Sequence, residues 1–281
     1  MSKKRKIVSA VIFGVLIIAL LIGVFALGAH ERAESIQESM KDAVLHESAK
    51  VNFFGIAVNP GLISAYTVTG IIFIFALIVR IFVIPKFKYV PGKFQLLLEE
   101  AVGLFDKLAK GNSPHMNKFL GAYIFTAGAF IFVGTLFELF GIQVITTAGH
   151  PISLPAPLAD INGAITIGCL SYLIIMSGGI AANGLKGIAL TLKDFSLPIS
   201  MSFRLFGALL SGALVTELVY YYTALSFVLP VVVGVLFTLL HALIQAYVLT
   251  MLTSLFYGEV SEKSPPKVKE KKKTKNENTE S

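Results

Sequence analysis

The chain alternates long apolar blocks with short polar or charged stretches. Apolar runs extend over Ile7 to Ala29, Leu62 to Ile84, Phe119 to Phe140 and Ile161 to Ala182. Two more cover Leu197 to Val228 and Val231 to Tyr257. A hydrocarbon layer of about 30 Å takes about 20 apolar residues of α-helix, so each run predicts one membrane-crossing helix. The fifth run is longer than a perpendicular crossing needs, which predicts a strong tilt or a start in the interface. Pro198 fits that helix's first turn, where a missing N–H leaves no hydrogen bond unmade. Pro230 falls in the short link to the sixth run, so the last two helices make an antiparallel hairpin. The expected fold is an all-α membrane protein of about six helices, ending in a long tilted hairpin.

Between the second and third runs the period changes. In Gly92 to Lys110, the residues Phe94, Leu97, Leu98, Ala101, Leu104, Phe105 and Leu108 share one stripe. That pattern predicts an amphipathic helix lying in the interface. The last stretch, SEKSPPKVKEKKKTKNENTES, is polar and lysine-rich and predicts a disordered tail. The chain thus divides into an N-terminal helix or signal (1–29), an external segment (30–61), a multispanning domain (62–260) and the tail (261–281). No internal repeat suggests inverted-repeat transporter symmetry.

Composition closes off the soluble alternative. Of 281 residues, 55% are hydrophobic and only 15% charged, against about 25% charged in soluble domains. The net charge of +7 does not point to nucleic acid, because the basic residues sit at the termini and between apolar blocks. With a cytoplasmic N-terminus, six crossings return the C-terminus to the same side. All of the 24 Lys and Arg then face the cytoplasm except Arg32, Lys41, Lys50, Arg80 and Arg204. The loop from Gly141 to Asp160 has neither residue type. This asymmetry follows the positive-inside rule and predicts both termini inside. The first run also admits a cleaved signal peptide, given its basic start and small residues at Ala26, Gly28 and Ala29. Its apolar length favours a retained helix. The single cysteine, Cys169, reads as an inert buried thiol.

Ionisable groups inside a membrane are costly and mark candidate function. They are Arg80, Glu138, Arg204, Glu217 and His241, with Asp160 at the mouth of the fourth span. Arg80 lies near the end of its helix beside Lys86 and Lys88, where snorkelling accounts for it. Arg204, in SMSFRLFGALLSG, has no such exit, and its guanidinium keeps its charge. After it come the small pairs Gly207 and Ser211, and Ala208 and Gly212, whose spacing lets another helix approach closely. Glu217 is 13 residues further on, roughly 19 Å along the axis, too far for an ion pair. Glu138 is at the wrong depth. The partner of Arg204 is therefore expected on another chain.

FRLFGALLSG, followed about forty residues later by LIQAYVLTMLTSLFY, closely resembles the last two helices of the a subunit of F-type ATP synthases. VPGKFQLLLEEAVGLFDKL resembles that family's interfacial segment, and LPAPLADINGAITIG its proline-rich loop. The matches run in family order over about residues 60 to 260. The resemblance implies a stator in a bacterial cell membrane, set against a rotating c-ring of small hairpin subunits that each carry a mid-membrane carboxylate. It also implies peripheral-stalk b subunits and the rest of the F1F0 complex as partners. Arg204 matches the family's essential arginine and Gln245 the glutamine facing it. Gly207, Ala208, Ser211 and Gly212 would then pack close to the ring. Two aqueous half-channels are implied, the outer one involving Glu217, Asp160 and Asn162.

Some positions keep two readings. Glu138 is an outer-channel group or an interfacial anchor. Ser200 and Ser202 line the inner path or are ordinary helix-start residues. His241, one turn before Gln245, relays protons or only hydrogen-bonds between helices. The chain also departs from the family, with Ala208 where asparagine is frequent and Ala213 where many members have glutamate. Glu217 lies four residues beyond Ala213 on roughly the same face and reads as its displaced replacement. The competing class is a secondary transporter or ion channel with Arg204 as an anion site. No nucleotide, nucleophile or metal signature occurs, so the chain is expected to be non-catalytic and without cofactor.

Overall fold

The computed structural model describes residues 51–53, 56–115, 117–145, 151–221 and 229–262, together with residues 14, 15, 18 and 22 of the first apolar run. Most of that run, most of the external segment and the tail beyond residue 262 lie outside the described residues. Two short hairpins and seven helices make up what is described. Strands β1 (Val51–Phe53) and β2 (Ile56–Val58) pair antiparallel, and so do β3 (Gln143–Ile145) and β4 (Pro151–Ser153). The helices are α1 (Pro60–Ile78), α2 (Lys93–Asn112), α3 (Asn117–Phe140), α4 (Ile161–Asn183), α5 (Leu185–Leu192), α6 (Ser196–Tyr221) and α7 (Leu229–Ser261). Helices α1, α3, α4, α6 and α7 are long and apolar enough to cross a membrane. The chain is an all-α, multispanning membrane protein.

Local chemistry accounts for the helix starts. Asn59 caps α1 by accepting a hydrogen bond from the Gly61 N–H at 3.0 Å, with Pro60 at the first helical position. The helix runs on through a π turn, Val79–Val83, and a 3-10 turn, Ile84–Lys86. Arg80 stands exposed on the π turn. Pro198 lies in the first turn of α6, as its position in the sequence implies. Pro230 does not lie in a link: α7 already begins at Leu229, so the proline occupies that helix's first turn.

The core runs through α3, α4, α6 and α7, where Leu120, Ile124, Ile131, Ile175, Leu205, Leu209 and Leu249 are buried together. Lipid is as apolar as a leucine core, so helices in a bilayer associate through close van der Waals contact. Gly168 of α4 lies against Ser202 and the Pro198 carbonyl of α6, and Gly178 of α4 lies beneath the ring of Tyr257 on α7. Helix α2 docks on this bundle through Phe105 and Leu108. The Phe105 ring meets Phe125 of α3 edge-on at 5.5 Å. Phe94, Leu97 and Leu104 stay exposed, which leaves part of the expected stripe for the membrane interface.

Three further features differ from the sequence expectations or were not among them. The loop after Gly141 folds back into the bundle, burying Leu154, Ala156 and Leu158. A short helix, α5, follows α4 and packs so closely on it that the Gly187 position touches the Gly179 carbonyl. Cys169 is exposed on α4 rather than buried, because its side of the helix faces away from α6 and α7.

Candidate functional site

Helix α6 carries two stripes. Met201, Ser202, Leu205, Leu209 and Gly212 are buried against the bundle, while Phe203, Arg204, Gly207 and Ser211 are exposed. The spacing of three and four residues in each set keeps it on one helical face. Arg204 therefore points away from the core. Among the described residues no carboxylate pairs with it, and the ion pair present there joins Lys110 and Asp106. At Gly207 a side chain would meet no atom within 4 Å.

The two small pairs separate at this point. Gly207 and Ser211 lie on the open face beside Arg204. Gly212 is buried instead, and His241 of α7 fills the adjacent space, with Nδ1 3.3 Å from where a Cβ would be. Gly212 thus serves the seam within the hairpin and is not available to pack against another chain. Ala208 is half-buried between the two faces.

His241 is half-buried and meets the Phe237 ring at 5.9 Å between centroids. One turn later Gln245 is only 6% exposed. Its Oε1 is buried without a hydrogen-bond partner among the described residues. A buried acceptor without a donor costs about 1–3 kcal/mol.

At the start of α4, Asp160 caps the helix. Its Oδ1 accepts hydrogen bonds from the Asn162 backbone N–H at 3.0 Å and from the Asn162 amide at 3.2 Å. Both residues line a cavity of about 180 Å³ with Gly61, Phe130 and Thr166. Thr166 gave no sequence signal, being one hydroxyl in an apolar run. Glu138 is half-buried on α3, with no side-chain hydrogen bond among the described residues, and does not line this cavity. Glu217 lies within α6, and its side chain falls outside the described residues. Ser202 is buried and donates to the Pro198 carbonyl at 2.6 Å, which is an ordinary use of a serine near a helix start. Ser200 is exposed.

The structure therefore brings His241 to Gly212 and Asp160 to Asn162. It forms no hydrogen bond between Arg204 and Gln245.

Comparison with known proteins places this arrangement. The model of the family described as ATP synthase A chain matches residues 62–258. Proteins named ATP synthase subunit a from two strains of Cereibacter sphaeroides are each 25% identical over 179 residues, covering 59% of this chain and 69% of the relative. The matched region takes in the capped loop at Asp160, the Arg204 face, all of α6 and all of α7 but its last three residues, and the chain belongs to the ATP synthase A chain family.

Proposed function

We propose that the chain is the proton-translocating stator subunit of the membrane sector of a rotary ATP synthase, with both termini on the cytoplasmic side. The observation that carries this reading is the placement of Arg204: exposed on a spanning helix, beside small residues, with no carboxylate from the described chain. A permanent charge so placed in a membrane requires a partner. A ring of small hairpin subunits, each with a mid-membrane carboxylate, would supply partners one after another.

A carboxyl group facing lipid holds its proton, because an ion there is costly. On reaching Arg204 it meets a fixed positive charge that favours the ionised form, and its proton leaves through one half-channel. Rotation carries the carboxylate onward to be reprotonated from the other half-channel. Arg204 repels protons and so blocks a direct leak between the two. A membrane potential supplies about 2.3 kcal/mol per charge per 100 mV.

The outer path is assigned to the cavity at Asp160 and Asn162, with Glu217 further along α6. Gln245 is taken as the glutamine opposite the arginine, where its buried Oε1, unpartnered among the described residues, would accept a hydrogen bond. The peripheral-stalk b subunits and the soluble head complete the machine, and nucleotide chemistry belongs to the head.

The test is Arg204→Ala in the assembled complex, reading ATP-driven proton uptake into vesicles. Uptake should be lost while the complex still assembles. Normal uptake by an assembled variant would overturn the assignment.

A further inference from the structure

Helix α1 rests on the bundle with one end only. Its buried residues are Pro60, Gly61, Ser64 and Val68, all in its first half, and beyond them the helix parts from α3. Helix α2 lies across the open end. The three line a half-open cleft of about 730 Å³, within the roughly 300–1,000 Å³ of pockets that take a drug-sized ligand. Its walls are apolar, with Phe75 and Val79 from the α1 side and Phe125 from α3, and Glu99, Asp106 and Lys118 join the lining from α2 and the start of α3.

Apolar walls at membrane depth with charge at one end match an amphiphile, and the signs of the charges narrow its chemistry. The lining carboxylates Glu99 and Asp106 are balanced by Lys118 and by Lys110, which pairs with Asp106. A site with both signs suits a zwitterion whose amine donates to Glu99 and Asp106 while its phosphate meets Lys118. Glu99 already accepts from Gln95 at 2.7 Å, and Asp106 pairs with Lys110. A carboxylate has about four acceptor sites, so both retain capacity. A quaternary ammonium has no N–H to donate and would gain less.

We propose that this cleft holds one phospholipid with a primary-amine headgroup, phosphatidylethanolamine in chemical class. One acyl chain fills the gap between α1 and α3, the other runs along the open side in the bilayer, and the headgroup lies at α2. A membrane void left without atoms forfeits dispersion contacts along its whole lining, and the lipid restores them. It props α1 at its present distance from the bundle.

The test uses the purified complex reconstituted in nanodiscs of phosphatidylethanolamine, phosphatidylcholine or phosphatidylglycerol, with retained lipid counted by native mass spectrometry. One phosphatidylethanolamine should be retained at least about tenfold more strongly than either other lipid, the scale of one charge-assisted hydrogen bond. Glu99→Gln combined with Asp106→Asn should erase that preference without removing acyl-chain occupancy. Ala122→Trp and, from another wall, Val102→Trp should expel the lipid, so misfolding of one variant leaves the other as the test. Equal retention of the three lipids overturns the proposal. So does a photo-crosslinker at Ala122 that captures a polypeptide segment in the assembled complex instead of lipid.

Discussion

His241 of α7 occupies the space that a side chain at Gly212 of α6 would need, with its Nδ1 3.3 Å from the Cβ position. The imidazole and the missing side chain are two halves of one contact, and the contact sets how closely the hairpin closes. Gly212→Ala adds one methyl at a tight but yielding distance. It also removes a helical glycine, worth about 0.8–1.0 kcal/mol in helix propensity. The two effects oppose each other, so stability should change by less than about 1 kcal/mol. Gly212→Leu cannot be accommodated and should destabilise by about 1–3 kcal/mol, as overpacking does. His241→Ala added to Gly212→Leu should restore part of that loss. Unfolding in detergent across this double-mutant cycle measures the coupling, and additive effects would show that the contact carries none.

Tyr257 and Gly178 form the equivalent contact between α7 and α4, at closer range. A Cβ at Gly178 would lie 2.5 Å from the Tyr257 ring, which is only 2% exposed. The ring has no room to swing away. Gly178→Ala should therefore destabilise by about 1–3 kcal/mol despite its gain in helix propensity. The yield and thermal unfolding of the purified variant are the readout, and an unchanged midpoint would contradict it.

These contacts mark where the sequence stops being informative. The spans were legible because a bilayer imposes a length on every helix. Arg204 was legible because a permanent charge in an apolar run has few explanations. Gly207 and Gly212 looked alike, since small residues at helical spacing report a close approach but not which neighbour approaches. One lies on the open face and the other beneath His241, a difference set by how α7 is rotated against α6. Helix α5 has only eight residues, too short for periodicity to separate from loop. The loop at Leu154 and Leu158 is buried by three-dimensional packing that its proline-rich sequence does not encode locally. Cys169 was misplaced for the same reason: an apolar neighbourhood in the chain does not say whether lipid or protein covers the residue.

Asp160 has a structural role and a proposed chemical one, and substitution can separate them. Its carboxylate caps α4, and it also lines the small cavity with Asn162. Asp160→Asn keeps a good capping residue and removes the charge, whereas Asp160→Ala removes both. Loss of the cap should cost about 1 kcal/mol. Stability should thus hold in Asp160→Asn and fall in Asp160→Ala. If the carboxylate serves the proton path, pumping should fall in both. Pumping preserved in Asp160→Asn would assign the residue to capping alone.

Asn183 makes the end of α7 a defined stop. Its amide donates to the carbonyls of Val260 at 3.0 Å and Glu262 at 2.8 Å, meeting acceptors that a helix terminus leaves open. His115 contacts the Ser261 carbonyl at 2.7 Å from another side. Asn183→Asp replaces a donor by an acceptor facing carbonyl oxygens, so it should fray this end more than Asn183→Ala, where water can enter. Hydrogen exchange of the amides around Val260 should rise in that order, with global stability changed by about 1 kcal/mol or less. Equal exchange in the two variants would mean that the amide does not hold the terminus.

Gly207 separates folding from assembly. A side chain there meets nothing within 4 Å in this chain, and Arg204 stands one turn away on the same open face. Gly207→Leu should leave the isolated chain as stable as before, or slightly more so through helix propensity. Under the proposed arrangement, the added side chain would stand in the complex where a ring of partner helices passes close to Arg204. ATP-driven proton uptake should then be strongly reduced, and the ring should be lost or loosened on purification. Gly212→Ala is the control, because it changes the buried face of the same helix and should leave uptake nearly intact. If Gly207→Leu pumps normally with the ring retained, the open face of α6 is not where the ring passes, and the exposure of Arg204 would need a different partner.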